Sequence, residues 1–227
     1  MSRTLTLYVN LDRLASSPED SSVVLRLMMA CNDLTMANAK FGETQKGRAR
    51  IEDDVEWAAT VYFLRLQIGH LNETLHIIEN LRGRSDLFAL VDRCSQQAQE
   101  AFAKLTACLK GGRDFKTYES QMMRIRNTAS FHYDDKVVRR ALKSRVKTGT
   151  KRQSVTVSND VRRVRFGVAD AVVDTIFDHL WMSGGRDIDQ KDQKLDAALG
   201  FGEGLFRACL EFSQEFIMRY VRMNCAR

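Results

Sequence analysis

Hydrophobic residues recur through most of this chain at intervals of three and four, the spacing that gathers them on one face of a helix. Ser17-Pro18-Glu19-Asp20 joins an N-cap hydroxyl, a first-turn proline and two acids matched to the helix dipole, and the apolar run over 23–34 then predicts a helix reaching about residue 41. The chain turns over 42–47. Ile51, Val55, Ala58, Tyr62, Leu66 and Gly69 next mark a long helix that passes His76 and Ile78 and closes at Gly83. Ser85 caps a third, continuous through Leu87, Leu90, Cys94, Ala101, Leu105 and Cys108 to Gly111-Gly112. Asp114 opens a fourth through Tyr118, Met122 and Ile125. Phe131-His132-Tyr133-Asp134-Asp135 interrupts it and supplies caps for a basic helix beyond. Two further helices are expected over 168–182 and from about 191 to 223, separated by Ser183-Gly184-Gly185.

Two stretches depart from this periodicity. Over 4–11, Leu5, Leu7, Val9 and Leu11 alternate with polar neighbours, which suits a strand or an extended arm within residues 1–16. Over 147–166, Gly, Thr, Ser and the alternating Val155 and Val157 suit a basic loop or small hairpin inserted between helices. Pro18 is the one proline in 227 residues, so long segments carry nothing that stops a helix. The expected architecture is all-α, a single helical domain over 1–227 with one elaborated core. No internal repeat is visible.

Composition narrows the setting. Five cysteines, Cys31, Cys94, Cys108, Cys209 and Cys225, are odd in number, far apart and without a Cys-x-x-Cys pair, so reduced thiols and a cytoplasmic location are expected. The first fifteen residues lack the continuous apolar block of a signal peptide. The best apolar run, over 23–31, is interrupted by Arg26 and falls far short of the roughly 20 residues a bilayer needs, so no membrane partner is expected. The formal net charge is +6, but residues 136–165 alone hold eleven basic residues against one acid, Asp160, which leaves the rest of the chain net acidic. Such local basicity is of the kind that meets phosphates. Its bland counterpart is a solvated helix face followed by a loop.

The segment Ile125-Arg126-Asn127-Thr128-Ala129-Ser130-Phe131-His132-Tyr133-Asp134 resembles the signature of the HEPN superfamily, an Arg followed by a polar residue, commonly Asn, with a His four to six residues beyond the Arg. The resemblance covers about ten residues and is similar to prokaryotic toxin and phage-defence members. It implies a HEPN-like helical bundle and a metal-independent endoribonuclease without cofactor. Partners would be RNA, a second copy of the chain and an antitoxin protein. Bare spacing is cheap with so many arginines: Arg65 also precedes His70 suitably, but within a regular helix and with Leu66 where Asn would stand. Asn127 directly after Arg126, together with the helix break at His132, sets the second pair apart.

His132 then serves as base or acid, Arg126 as phosphate clamp and Asn127 as orienting group, with Tyr133, Arg139, Arg140 and Lys143 as substrate-binding residues. Six residues on a regular helix turn through about 600°, or about 240° around the axis, so Arg126 and His132 share a face only through a distortion or a second chain. HEPN enzymes, by resemblance, line one cleft with motif residues of two subunits. In some HEPN toxins a Tyr two residues after the His is a modification target; Asp134 stands at that place here. The alternative is a non-catalytic helical module that binds nucleic acid or protein, His132 merely closing a bundle end against Asp134.

Other candidates are weaker. Glu73-x-x-His76 is half of a carboxylate-bridged di-iron pattern, no second copy exists, and an amphipathic surface stripe is the favoured reading, so no metal site is expected. Gly200, Gly202 and Gly204 lack the Lys and Ser/Thr of a P-loop, which favours close helix packing.

Overall fold

A computed structural model describes residues 8–46, 54–127, 135–148, 167–181 and 188–225. Among them all regular structure is helical, in agreement with the expected class. In chain order the helices are α1 (Leu11–Ala15), α2 (Pro18–Lys46), α3 (Asp54–Arg82), α4 (Ser85–Val91), α5 (Gln96–Ala107), α6 (Phe115–Tyr118), α7 (Asp135–Lys147), α8 (Gly167–Trp181) and α9 (Ile188–Asn224). A π-helical turn, Glu119–Met123, continues α6. Among the described residues no helix is long and apolar enough to cross a membrane.

Four expectations need correcting, the first being the turn over 42–47, since α2 continues to Lys46. The alternating lead does not continue as a strand to Leu11, because Leu11 opens α1 and Asn10 caps it, its Oδ1 accepting from Arg13 N at 3.1 Å. Residues 1–7 lie outside the described part. Ser85 is the first residue of α4 rather than its cap; Arg84 occupies the cap position and sends its guanidinium to Glu19 (2.9 Å) and Asp20 (3.2 Å) instead. The expected third helix is two. Ser95 has extended backbone (φ −60°, ψ 159°) and its Oγ accepts from Ala98 N, so it starts α5 afresh. The Glu215 carboxylate holds that break by accepting from Ser95 N at 2.6 Å and from Ser95 Oγ. A satisfied N-cap outweighs the apolar periodicity that ran through the break. The expected basic loop or hairpin lies, beyond Thr148, outside the described residues.

Contacts divide the chain into two compact units. One comprises Met1–Thr35, His70–Lys116 and Glu203–Arg227, the other Met36–Gly69 and Thr117–Gly202. In the first unit a row of aromatic rings forms the centre: Phe88 to Phe102 at 6.1 Å between centroids, Phe102 to Phe212 at 4.8 Å and Phe212 to Phe216 at 5.2 Å. Leu27, Leu71, Ile78, Leu81 and Leu105 are fully buried with them. Each such side chain contributes about 1.5–3 kcal/mol relative to exposure, which is what makes the short α4 and α5 worth ordering. Of the buried polar side chains, Ser21 is paired: its Oγ donates to Leu14 O and lies 3.2 Å from Tyr220 Oη, tying α1, α2 and α9.

In the second unit the core is built from Ile68 of α3, Tyr118 of α6, Met122 and Ile125 just beyond it, Ala141 of α7, and Ile176 and Phe177 of α8. Helices α7 and α8 pack on each other. Both the Arg-Asn pair and α7 belong to this unit.

Candidate functional site

Two inward side chains set the register of the segment that carries the motif. Met122 and Ile125, three residues apart, are both buried, which leaves Arg126 half-buried and Asn127 exposed. Arg126 Nη1 donates to Asn127 Oδ1 at 3.2 Å. The guanidinium therefore occupies the amide oxygen, and Asn127 Nδ2 remains as the donor end of that side chain. The backbone here is not regular α-helix. Arg124 N donates five residues back to Glu119 O, and π-helical geometry returns at Arg126 and Asn127 themselves. Such widened turns are frequent at functional sites. The backbone thus departs from regular α-helix at the first two motif residues. A concavity of about 370 Å³, lined by Glu119, Ser120, Met123, Arg124 and Asn127, opens beside it.

His132 and Tyr133 lie outside the described residues. The three basic residues expected to bind substrate are all exposed on α7, but they differ in circumstance. Arg139 Nε donates to Asp135 Oδ1 at 2.9 Å, an i,i+4 ion pair that uses its charge locally. Arg140 and Lys143 make no ion pair among the described residues. Lys136 and Lys147, which the sequence reading passed over, are exposed on the same helix. The signal that finds them is the spacing 4, 3, 4 of Lys136, Arg140, Lys143 and Lys147, a period that keeps all four on one side. For the π-helical turn no such signal exists, since Glu-Ser-Gln-Met-Met holds neither proline nor glycine.

The remaining candidates resolve into structure. Gly202 permits close approach: a Cβ there would stand 2.9 Å from Met122 Cε. At Gly204 it would stand 2.6 Å from Lys104 Nζ, whereas at Gly200 it would meet open space. Side-chain ends thus lie close to two of the three glycines. Arg65 and His70 lie within α3, and His70 Nδ1 is 3.7 Å from Asp33. Glu73 and His76 are exposed on the same helix, His76 Nδ1 lying 3.9 Å from Glu79, and among the described residues no three His, Cys, Asp or Glu side chains gather as a metal would need. The first unit has a wide polar concavity of about 1330 Å³ at the start of α2, but its Arg84 is committed to Glu19 and Asp20.

Comparison with known proteins gives no match, whether to a family model, a curated protein or a solved structure. The likeness to the HEPN signature accordingly rests on those ten residues of sequence.

Proposed function

We propose that this chain is a metal-independent endoribonuclease of HEPN type with a HEPN-like helical bundle, acting in the cytoplasm as a toxin or defence effector. The observation that carries the reading is the Arg126-Asn127 pair, hydrogen-bonded at 3.2 Å on a π-helical turn and followed in the sequence by His132, six residues after Arg126. In the reaction the ribose 2′-oxygen bonds to phosphorus and the bond from phosphorus to the 5′-oxygen breaks. The 2′-OH proton passes to a base and the leaving 5′-oxygen takes one from an acid. The products are a 2′,3′-cyclic phosphate and a 5′-hydroxyl. His132, whose imidazole can both accept and donate a proton, fills one of the two proton-transfer roles. Arg126 carries a permanent charge against the phosphorane, and Asn127, its oxygen engaged by Arg126, donates from Nδ2 to a phosphate or ribose oxygen. A second copy of the chain supplies the other half of the cleft, and an antitoxin protein restrains it.

A second reading has an observation of its own. The exposed basic face of α7 suits a module that binds nucleic acid without cutting it. Incubation with total RNA in EDTA, followed by end-group determination, separates the two. The enzyme yields cyclic-phosphate ends that disappear in His132→Ala while RNA binding persists; a binding module yields none from either protein.

A further inference from the structure

Helix α7 divides its residues sharply by direction. Ala141 is fully buried, with Val137 and Val138 half-buried on the same side, where the helix packs on α8. On the opposite side Lys136, Arg140, Lys143 and Lys147 are all exposed. At 100° per residue the four fall within about 60° of one another and run for about 16 Å along the axis, roughly one cation per turn. No acid interrupts the row. Asp135 stands at its edge and is satisfied by Arg139, so the pair Asp135–Arg139 bounds the stripe and cancels itself. Arg140, Lys143 and Lys147 make no ion pair among the described residues. Arg140, Lys143 and Lys147 are therefore a row of like charges that no ion pair neutralises among the described residues, an arrangement that costs self-repulsion and is relieved by a polyanion of matching pitch.

We infer that the stripe Lys136, Arg140, Lys143 and Lys147 is the track for the phosphates of a single RNA strand, one side chain per successive phosphate. The choice of RNA as the polyanion rests on the ribonuclease reading; the choice of a single strand comes from shape. The major groove of an RNA duplex is deep and too narrow for a helix to enter, and duplex recognition spreads across two minor grooves, far beyond a 13-residue helix. An anionic membrane surface is the other polyanion to weigh. A helix that lies on a bilayer buries its apolar face there, and the apolar face of α7 is instead turned onto α8, leaving only Leu142 and Val146 outside. Arg139, expected from sequence to bind substrate, is not part of the track.

The test is the salt dependence of binding to a 20-nucleotide single-stranded DNA oligomer, which has no 2′-OH and cannot be cut by the proposed chemistry. Plotted as log K against log salt, the slope is expected to flatten by about 0.7 for each of Lys136→Gln, Arg140→Gln, Lys143→Gln and Lys147→Gln, and not to change for Arg139→Gln. Circular dichroism checks that each variant keeps its helix content. An unchanged slope in the fourfold variant, an equal effect of Arg139→Gln, preference for an RNA duplex of the same length, or binding to phosphatidylserine vesicles in place of the oligomer overturns the proposal. RNA cleavage by wild type with an unchanged slope sinks the track and spares the ribonuclease. The expected slopes with no RNA cleavage do the reverse.

Discussion

Gly202 and Met122 are in close contact: a Cβ on the glycine would lie 2.9 Å from the methionine's Cε. Met122 belongs to the π-helical turn and is buried, so the glycine of α9 presses directly on the segment that leads to Arg126. Gly202→Ala is expected to be close to neutral in urea denaturation. The thioether end is flexible enough to yield, and removing a glycine from a helix interior returns roughly 0.5–1 kcal/mol. Gly202→Val has no such escape and is expected to lose about 1–3 kcal/mol through overpacking. If valine were as well tolerated as alanine, the contact would not be confining the turn.

Glu215 and Ser95 give the first unit a pH-dependent joint. The hydrogen bond from the Ser95 hydroxyl, ahead of the backbone bond from Ser95 N and the bond and charge of Arg219, holds the Glu215 carboxyl below the usual range, with partial burial opposing. A carboxyl whose folded pKa is depressed stabilises the fold above its unfolded pKa of about 4.3, and that contribution is lost as pH falls through the lower folded value. Thermal unfolding measured from pH 7 down to about pH 3 should therefore show an acid-side decline that is shallower in Glu215→Gln. At neutral pH, Ser95→Ala should cost about 1 kcal/mol as a lost N-cap. Equal acid sensitivity in wild type and Glu215→Gln would remove this carboxylate from the account.

How much of this was legible in the chain depends on how far away the deciding partner lies. Pro18 and the acids after it placed the start of α2, and Gly83 the end of α3, because those signals act within one turn. The break at Ser95 escaped, although Ser95 is a good cap, because the apolar period runs straight through it and Glu215, which secures it, is 120 residues away. Arg126 and Asn127 were legible as a pair. Their hydrogen bond and the π-helical turn beneath them were not, since both depend on how Met122 and Ile125 seat in the core.

Free cysteines were expected, and the described thiols are free, but they should not react alike. Cys209 is fully buried and burial pushes its pKa well above normal; Cys108 is raised to about 11, chiefly by burial and then by Asp114. Cys31 is half-buried, also raised by burial, and opens onto a concavity formed with α5 and α9. Because the thiolate is the reactive form, native protein at pH 8 should titrate slowly with a thiol reagent, Cys31 first, while Cys108 and Cys209 wait for unfolding. Peptide mapping of the labelled sites decides it. Early labelling of Cys209 would mean that this core opens far more readily than its packing allows.

The sharpest demand on the proposed chemistry falls on Asn127, because it is exposed and contributes little to the core. Asn127→Asp keeps the shape and the oxygen that accepts from Arg126, but it replaces a donor with a negative charge 3.2 Å from the guanidinium. Two effects then act in the same direction. The new carboxylate competes with the phosphate for Arg126, and the lost N–H removes one donor from the developing charge, a change that typically costs on the order of 10²-fold in rate. Stability should move by no more than about 0.5 kcal/mol, since a surface residue is exchanged for an isostere. Single-turnover cleavage of a labelled RNA alongside a denaturation curve reads both. A variant that folds normally and still cuts at the wild-type rate would show that the Arg126-Asn127 pair does not meet the scissile phosphate.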